Sequence, residues 1–275
     1  MRSFSFAKGH ATMNDFVVIL DRSNALSLSP ADVSRICDRR TGLGADGVLR
    51  AVKAKHVPEW RGAPDWWFMD CRNADGSVAA VCGNGLRLFV RYLIEEDLAP
   101  RNEVFVATRG GQRTVWERFD GRLRATMGPV GLDDRPTWVG LGEHRYEASG
   151  ADVGNPHAVV VLGAGDDLAG LDLTRPVSFD QERFPAGVNV EFVAADGPDR
   201  LHMRAVERGV GETYSCGTGA VAGAAVAARA LTGRAEGDIT VAVRGGVLDV
   251  RLTPEQAYLT GPATVVARGE ATLPD

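Results

Sequence analysis

The feature that most constrains this chain is that it says nearly the same thing twice. CGNG begins at Cys82 and CGTG at Cys216, 134 residues later. VATRGG from Val106 returns as VAVRGG from Val241, and Gly128-Pro129 returns as Gly261-Pro262, at almost the same offset. Upstream, TMNDFVVIL from Thr12 is echoed by VGNPHAVVVL from Val153, with Asn14 and Asn155 in register. Four landmarks in one order imply a duplicated unit of about 130 residues, too long for a solenoid repeat. The expectation is two related lobes, residues 1–128 (completed by 264–275) and 129–263, with Asp133 to His144 near the junction.

Within each lobe the pattern is mixed. Residues 16–20, 104–107, 158–162, 188–193, 239–243 and 247–252 are short, β-branched-rich and turn-bounded, so they read as strands. Ser29-Pro30 opens a helix, with serine as N-cap and proline at the first position. Leu86, Phe89, Val90, Leu93 and Ile94 fall at helical spacing over 85–97. The run after Cys216, GTGAVAGAAVAARAL, predicts a second helix, of narrow girth and closely surrounded. Each lobe therefore has many strands and one central helix, with a cysteine at its start.

Composition narrows the chemistry. A formal net charge of −5 without a long run of like charge argues against nucleic acid as a partner. No apolar run reaches the length of a membrane span, and the first ten residues lack an apolar signal core. Only three of the 31 basic residues are lysines (Lys8, Lys53, Lys55), leaving few candidates for a Schiff base. Four cysteines with no CxxC or CxxH spacing make neither a disulfide framework nor a structural zinc site, so no metal is expected.

The cysteines point elsewhere. A helix N-terminus offers unpaired N–H groups and a positive dipole end, which favour a thiolate and predict a pKa below the free-cysteine value of about 8.5. The glycines beside each cysteine let backbone amides approach an anion. A lone cysteine beside a glycine is ordinarily inert; a pair at equivalent positions of duplicated halves suggests one site with a thiol on either side. Inversion of a carbon stereocentre uses such a pair, one thiolate removing a proton and the opposite thiol delivering another, while the helix ends stabilise the charge on the carboxylate. No cofactor is then required. Cys37 and Cys71 lack repeat partners and read as structural. Asp15 and Asp75 read as turn-forming residues.

The segments KGHATMNDF, RTGLGADG, RNADGSVAAVCGNGLR, VGNPHAVV, FPAGVNVEFV and ERGVGETYSCGTGA together resemble the diaminopimelate epimerase family. The resemblance implies an α+β fold of two pseudo-symmetric lobes, each a rolled mixed β-sheet or barrel around a central α-helix. It also implies a cytoplasmic, cofactor-independent isomerase that interconverts LL- and meso-diaminopimelate for lysine and peptidoglycan synthesis. Carried over residue by residue, Cys82 and Cys216 are the acid–base pair. Gly83, Asn84, Gly217 and Thr218 hold the reacting carboxylate. Asn14, Asn73, Asn155, Asn189 and Arg208 read the distal amino acid centre, and His157 and Glu207 tune the thiols. Asparagine suits that task because it both donates and accepts, and Arg208 offers a bidentate fork for a carboxylate.

The chain departs from the family pattern at Ala11 and Met13, which replace glycines, at Gly47, where some members place a glutamine, and at Cys71, where an aromatic is common. Residues 51–68, with three tryptophans, read as either a surface hairpin or an edge for a homodimer contact. Two further readings are another cofactor-independent amino acid racemase on the same fold and a thiol redox protein cycling a Cys82–Cys216 disulfide. Proline and hydroxyproline racemases carry CGHG at the first cysteine, against which Asn84 argues.

Overall fold

The structure is a computed structural model describing residues 2–163 and 165–273. The chain divides into two units, Met1–Ala125 with Gly261–Asp275, and Thr126–Thr260.

The first unit contains β1 (Arg2–Ala11), β2 (Asn14–Leu20), α1 (Pro30–Cys37), β3 (Gly47–Lys53), β4 (Trp67–Asn73), β5 (Val78–Ala79), α2 (Gly83–Glu95), β6 (Val104–Thr108), β7 (Gly111–Glu117) and the first half of β8 (Leu123–Gly128), whose last three residues belong to the second unit. A C-terminal strand, Thr264–Leu273, returns to pair with β1. The strand order is C-terminal strand, β1, β2, β3, β4, β6, β7, β8, with β5 beside β4. The β2/β3 and β4/β6 pairs are parallel and the rest antiparallel. The second unit contains β9 (Gly131–Leu141), β10 (His144–Asp152), β11 (Pro156–Val161), β12 (Val177–Phe179), β13 (Asn189–Ala195), β14 (Arg200–Glu207), β15 (Gly211–Thr213), α3 (Gly217–Thr232), β16 (Gly237–Val243), β17 (Gly246–Leu252) and β18 (Ala257–Gly261). Its sheet runs β12, β9, β10, β11, β13, β14, β16, β17, β18, with β15 beside β14 and parallel pairs at β11/β13 and β14/β16.

The repeat is therefore written in the hydrogen bonding. Phe16 pairs with Gly47 at the start of β2/β3, and His157 pairs with Asn189 at the start of β11/β13. A short strand, β5 or β15, precedes each cysteine-capped helix. Each sheet is mixed and, within its unit, an open sheet rather than a closed barrel.

Burial on two faces explains the continuous apolar runs in the parallel strands. Phe16 and Val18 pack with the apolar residues of α2, while Val17 and Ile19 pack against Val33 and Ile36 of α1. In the second unit Val159 and Val193 pack with α3, and Val160, Val190 and Phe192 face Leu173 and Phe184 instead of a helix. Helix α1 carries the expected cap: Ser29 accepts from the Asp32 N–H, and Asp32 accepts from the Ser29 N–H. The small residues of α3 are needed for approach, since a Cβ on Gly223 would stand 3.2 Å from Val193 and 3.3 Å from Met203. Most of Asp133 to His144 is β9, paired with β10. Residues 51–68 form a hairpin extension closed by Ala54 N–H to Trp66 O at 2.9 Å, with Trp66 stacked on Phe105 at 5.2 Å. Among the described residues no helix is long and apolar enough to cross a membrane.

Candidate active site

Each cysteine is the N-cap of a buried helix. The Cys82 sulfur accepts the Gly85 N–H at 3.3 Å, and the Cys216 sulfur accepts the Gly219 N–H at 3.3 Å. Both cysteines are free thiols. An N-cap residue holds extended backbone while its side chain meets an orphan helical N–H; cysteine takes that role twice because glycine at the third helical position leaves the sulfur room.

In the first unit the surroundings of Cys82 are polar. Its thiol faces Asn14 Oδ1 at 3.9 Å, and Asn84 Nδ2 donates to the same oxygen at 3.2 Å. Asn14 Nδ2 donates to Asp46 at 2.8 Å, which fixes the amide's orientation. Arg39 bridges Asp15 and Asp46, each at 2.7 Å, and Lys8 pairs with Asp15. Asp15 is thus an ion-pair residue on β2 and not the turn residue expected. Burial alone would raise its carboxyl, but hydrogen bonds from Arg39 and Lys8 outweigh that and hold it at about 2. Asp75 does organise a turn, accepting the Ser77 N–H at 2.8 Å. Asn73 ends β4 opposite Gly47, and its amide donates to Ser77 Oγ at 2.9 Å. Cys71, assigned a purely structural role from sequence, sits beside Cys82. Its thiol is pushed well up, first by hydrogen bonding to Cys82 and then by burial.

In the second unit Cys216 is enclosed. Its sulfur lies 3.6 Å from Thr218 Oγ1, to which Asn155 Nδ2 donates at 3.4 Å. Asn155 Oδ1 meets His157 Nε2 at 3.1 Å, and His157 Nδ1 meets Glu191 Oε1 at 2.8 Å. His157 and Glu191 are completely buried. Glu207 accepts from Thr213 Oγ1 at 2.7 Å. Asn189 accepts the Arg208 N–H at 2.9 Å, and the exposed Arg208 guanidinium donates to Ala186 O at 2.9 Å. The helix-terminus argument, applied alone, predicts a depressed thiol at both positions. At Cys216 it fails: burial pushes the thiol well above its ordinary value, and Glu207 and Glu191 push the same way. The Thr218 and Gly219 hydrogen bonds recover only part of the shift. Glu191 was missed from sequence, although a lone carboxylate within the apolar VNVEFV run was a visible signal.

Among the described residues no cluster of His, Cys, Asp and Glu has the arrangement of a metal site.

Comparison with known proteins bears on which reaction uses these groups. The diaminopimelate epimerase family model matches residues 6–132 and 150–266. Diaminopimelate epimerase of Mycobacterium sp. (strain KMS) is 47% identical over 283 residues, covering 96% of each chain. That of Corynebacterium glutamicum (strain R) is 45% identical, covering 98% of each, and that of Streptomyces coelicolor is 47% identical, covering 97% of this chain and 94% of its own. Among solved structures, a hydroxyproline epimerase from Agrobacterium vitis superposes with a TM-score of 0.73 at 14% identity, covering 100% of this chain and 94% of that one. A Bacillus anthracis PhzF-family phenazine biosynthesis protein gives 0.68 at 15% identity, covering 99% and 100%. These two share the fold. The sequence relatives go further, and on their identity and coverage the chain belongs to the diaminopimelate epimerase family.

Proposed function

We propose that this isomerase epimerises diaminopimelate at one α-carbon by two-base chemistry, with Cys82 and Cys216 as the bases. The observation that carries the reading is the matched pair of cysteine N-caps, each with its sulfur on a helical N–H at 3.3 Å. One sulfur, as thiolate, takes the α-proton and becomes a thiol. The other, as thiol, gives its proton to the opposite face of the carbanion and becomes a thiolate. Solvent exchange resets the pair. The amides of Gly83, Asn84, Gly217 and Thr218 suit the reacting carboxylate, where negative charge builds up. Asn14, Asn73, Asn155, Asn189 and Arg208 suit the distal amino acid head group. His157 and Glu207 act on the Cys216 side, through Asn155 and through charge respectively. The reaction needs no cofactor and belongs to lysine and peptidoglycan precursor synthesis in the cytoplasm. A homodimer fits the same reading, as does a small-molecule substrate with no nucleic acid or membrane partner.

The test is epimerisation of LL-diaminopimelate in deuterated water under reducing conditions. Deuterium is expected at the inverted carbon of product before it appears in substrate. Product retaining its original hydrogen would exclude two separate acid–base groups. Cys82→Ala and Cys216→Ala are each expected to abolish epimerisation with the fold retained; full turnover by either would refute the pairing.

A further inference from the structure

Arg87 is the least explained side chain in the first unit. It lies on α2, one turn past the cysteine, and is completely buried. Its guanidinium uses one nitrogen: Nη2 donates to Thr12 Oγ1 at 3.3 Å and to Asn84 Oδ1. Nε and Nη1 are buried with no hydrogen-bond partner, and among the described residues no carboxylate pairs with it. A buried guanidinium without a counter-charge is costly unless an anion shares its surroundings. Arginines in cores are ordinarily placed against carboxylates, and this chain does so elsewhere, with Arg50 on Asp21 and Asp70.

The two groups Arg87 does hold are informative. Thr12 and Met13 form the turn between β1 and β2, and both have left-handed backbone, with φ of 48° and 65°. A β-branched residue there is strained, and Arg87 anchors its hydroxyl. Asn14 follows that turn directly. Asn84, the other partner, donates to Asn14. Arg87 therefore fixes both neighbours of the amide facing Cys82.

We propose that Arg87 is a positioning residue for Cys82: it holds Asn84 and the Thr12–Met13 turn in place and supplies the fixed positive charge that favours Cys82 as the resting thiolate. The inference rests on the reading of Cys82 as one of the two bases. Other groups facing the sulfur are the Gly85 N–H and the Cys71 thiol on β4, which both favour a thiolate, and Asn14 Oδ1 on β2, which opposes it. Beyond Asn14, Asp15 and Asp46 are engaged by Lys8 and Arg39. The coupling is visible from the other side as well: burial draws Arg87 down to about 10, and the Cys82 charge is what works against it.

The experiment measures iodoacetamide alkylation of Cys82 and Cys216 separately, by peptide mass spectrometry, across pH, in the full-length protein. Arg87→Met is expected to raise the Cys82 midpoint by about one pH unit or more, leave Cys216 unmoved and lower kcat at neutral pH roughly tenfold. Arg87→Lys, which keeps the charge, is expected to restore most of the Cys82 midpoint. Should Arg87→Met fail to fold, Thr12→Asp serves: aspartate tolerates the left-handed turn and gives Arg87 a carboxylate, so the Cys82 midpoint is again expected to rise. An unmoved Cys82 midpoint in either folded variant overturns the proposal, as does an equal shift at both cysteines. If the wild-type protein does not epimerise diaminopimelate yet its Cys82 midpoint still follows residue 87, the proposed reaction fails and the role of Arg87 stands.

Discussion

The two cysteine-capped helices allow one substitution to be made twice, with opposite expected outcomes. Gly85 and Gly219 occupy the same helical position, three residues after their cysteines. A Cβ on Gly219 would lie 2.4 Å from Glu191 Oε1, 3.0 Å from its carboxyl carbon and 3.1 Å from the Cys216 sulfur. Glu191 cannot swing aside, being completely buried and held to His157 at 2.8 Å. A Cβ on Gly85 would meet Leu49 Cδ2 at 3.1 Å and Cys82 at 3.4 Å, a contact a leucine methyl can yield. Alanine gains up to about 1 kcal/mol over glycine in a helix. Against that, overpacking at Gly219 costs roughly 1–3 kcal/mol, and a broken Glu191–His157 hydrogen bond about 1–3 kcal/mol more. Gly219→Ala is therefore expected to destabilise its unit by about 1–5 kcal/mol, and Gly85→Ala to stay within about 1 kcal/mol of wild type. Urea unfolding followed by circular dichroism measures both. Activity should separate them too, since Gly219→Ala displaces the Cys216 sulfur. Equal stability of the two variants would refute the reasoning, because it would mean that Glu191 is free to move.

Met13→Gly is expected to stabilise the protein by about 0.5–1 kcal/mol, because relief of the left-handed strain of this exposed residue exceeds the added freedom of the unfolded chain; a lower thermal midpoint would contradict that. Asp15 gives a pH signature. Its folded pKa of about 2 lies below the ordinary 3.8, so its ion pairs contribute fully above pH 4 and are lost as pH falls towards 2. Asp15→Asn is expected to lower stability at pH 6 by on the order of 1–2 kcal/mol and to flatten the loss of thermal midpoint between pH 4 and pH 2. Parallel curves for the two proteins over that window would remove Asp15 from the account of acid stability.

What could be read from the sequence was what is local or repeated. The strands at 16–20 and 158–162 are buried, turn-bounded apolar runs, that at 239–243 buries Ile239 and Val241 in alternation, and the capped start of α1 is a four-residue signal. Strands such as β9 were hidden because Asp133, Asp134 and Pro136 are residue types uncommon in strands; pairing with β10 and β12, not intrinsic preference, makes them extended. The site divides the same way. Cysteines at equivalent repeat positions announce themselves. Glu191 and Arg87 do not, because their importance lies in what surrounds them. In sequence each is one charged residue in an apolar segment, and only burial distinguishes a solvated side chain from an enclosed one. The Cys216 thiol departs from the helix-dipole expectation for that reason: burial raises it first, and the carboxylates of Glu207 and Glu191 add to the shift.

The differences between the units carry as much chemistry as the likeness. A perfectly duplicated pair of thiols would have one protonation preference, whereas inversion by two bases needs one sulfur charged and the other protonated at the start of each turnover. The strand registers identify where the copies diverged. Phe16 corresponds to His157, and Leu49, two residues into β3, corresponds to Glu191, two residues into β13. Five residues past the cysteine, Arg87 corresponds to Val221. The first copy has placed a buried cation beneath its helix terminus and a hydrocarbon beside it; the second has placed a buried carboxylate–histidine pair beside its terminus and a hydrocarbon beneath it. On the proposal above, the fixed charge of Arg87 favours a thiolate at Cys82, whereas burial, Glu207 and Glu191 push the Cys216 thiol up. Under the proposed mechanism, duplication supplied the second cysteine-capped helix that inversion requires. On the same proposal, the substitutions at these positions supply the asymmetry by which Cys82 begins as the base and Cys216 as the acid.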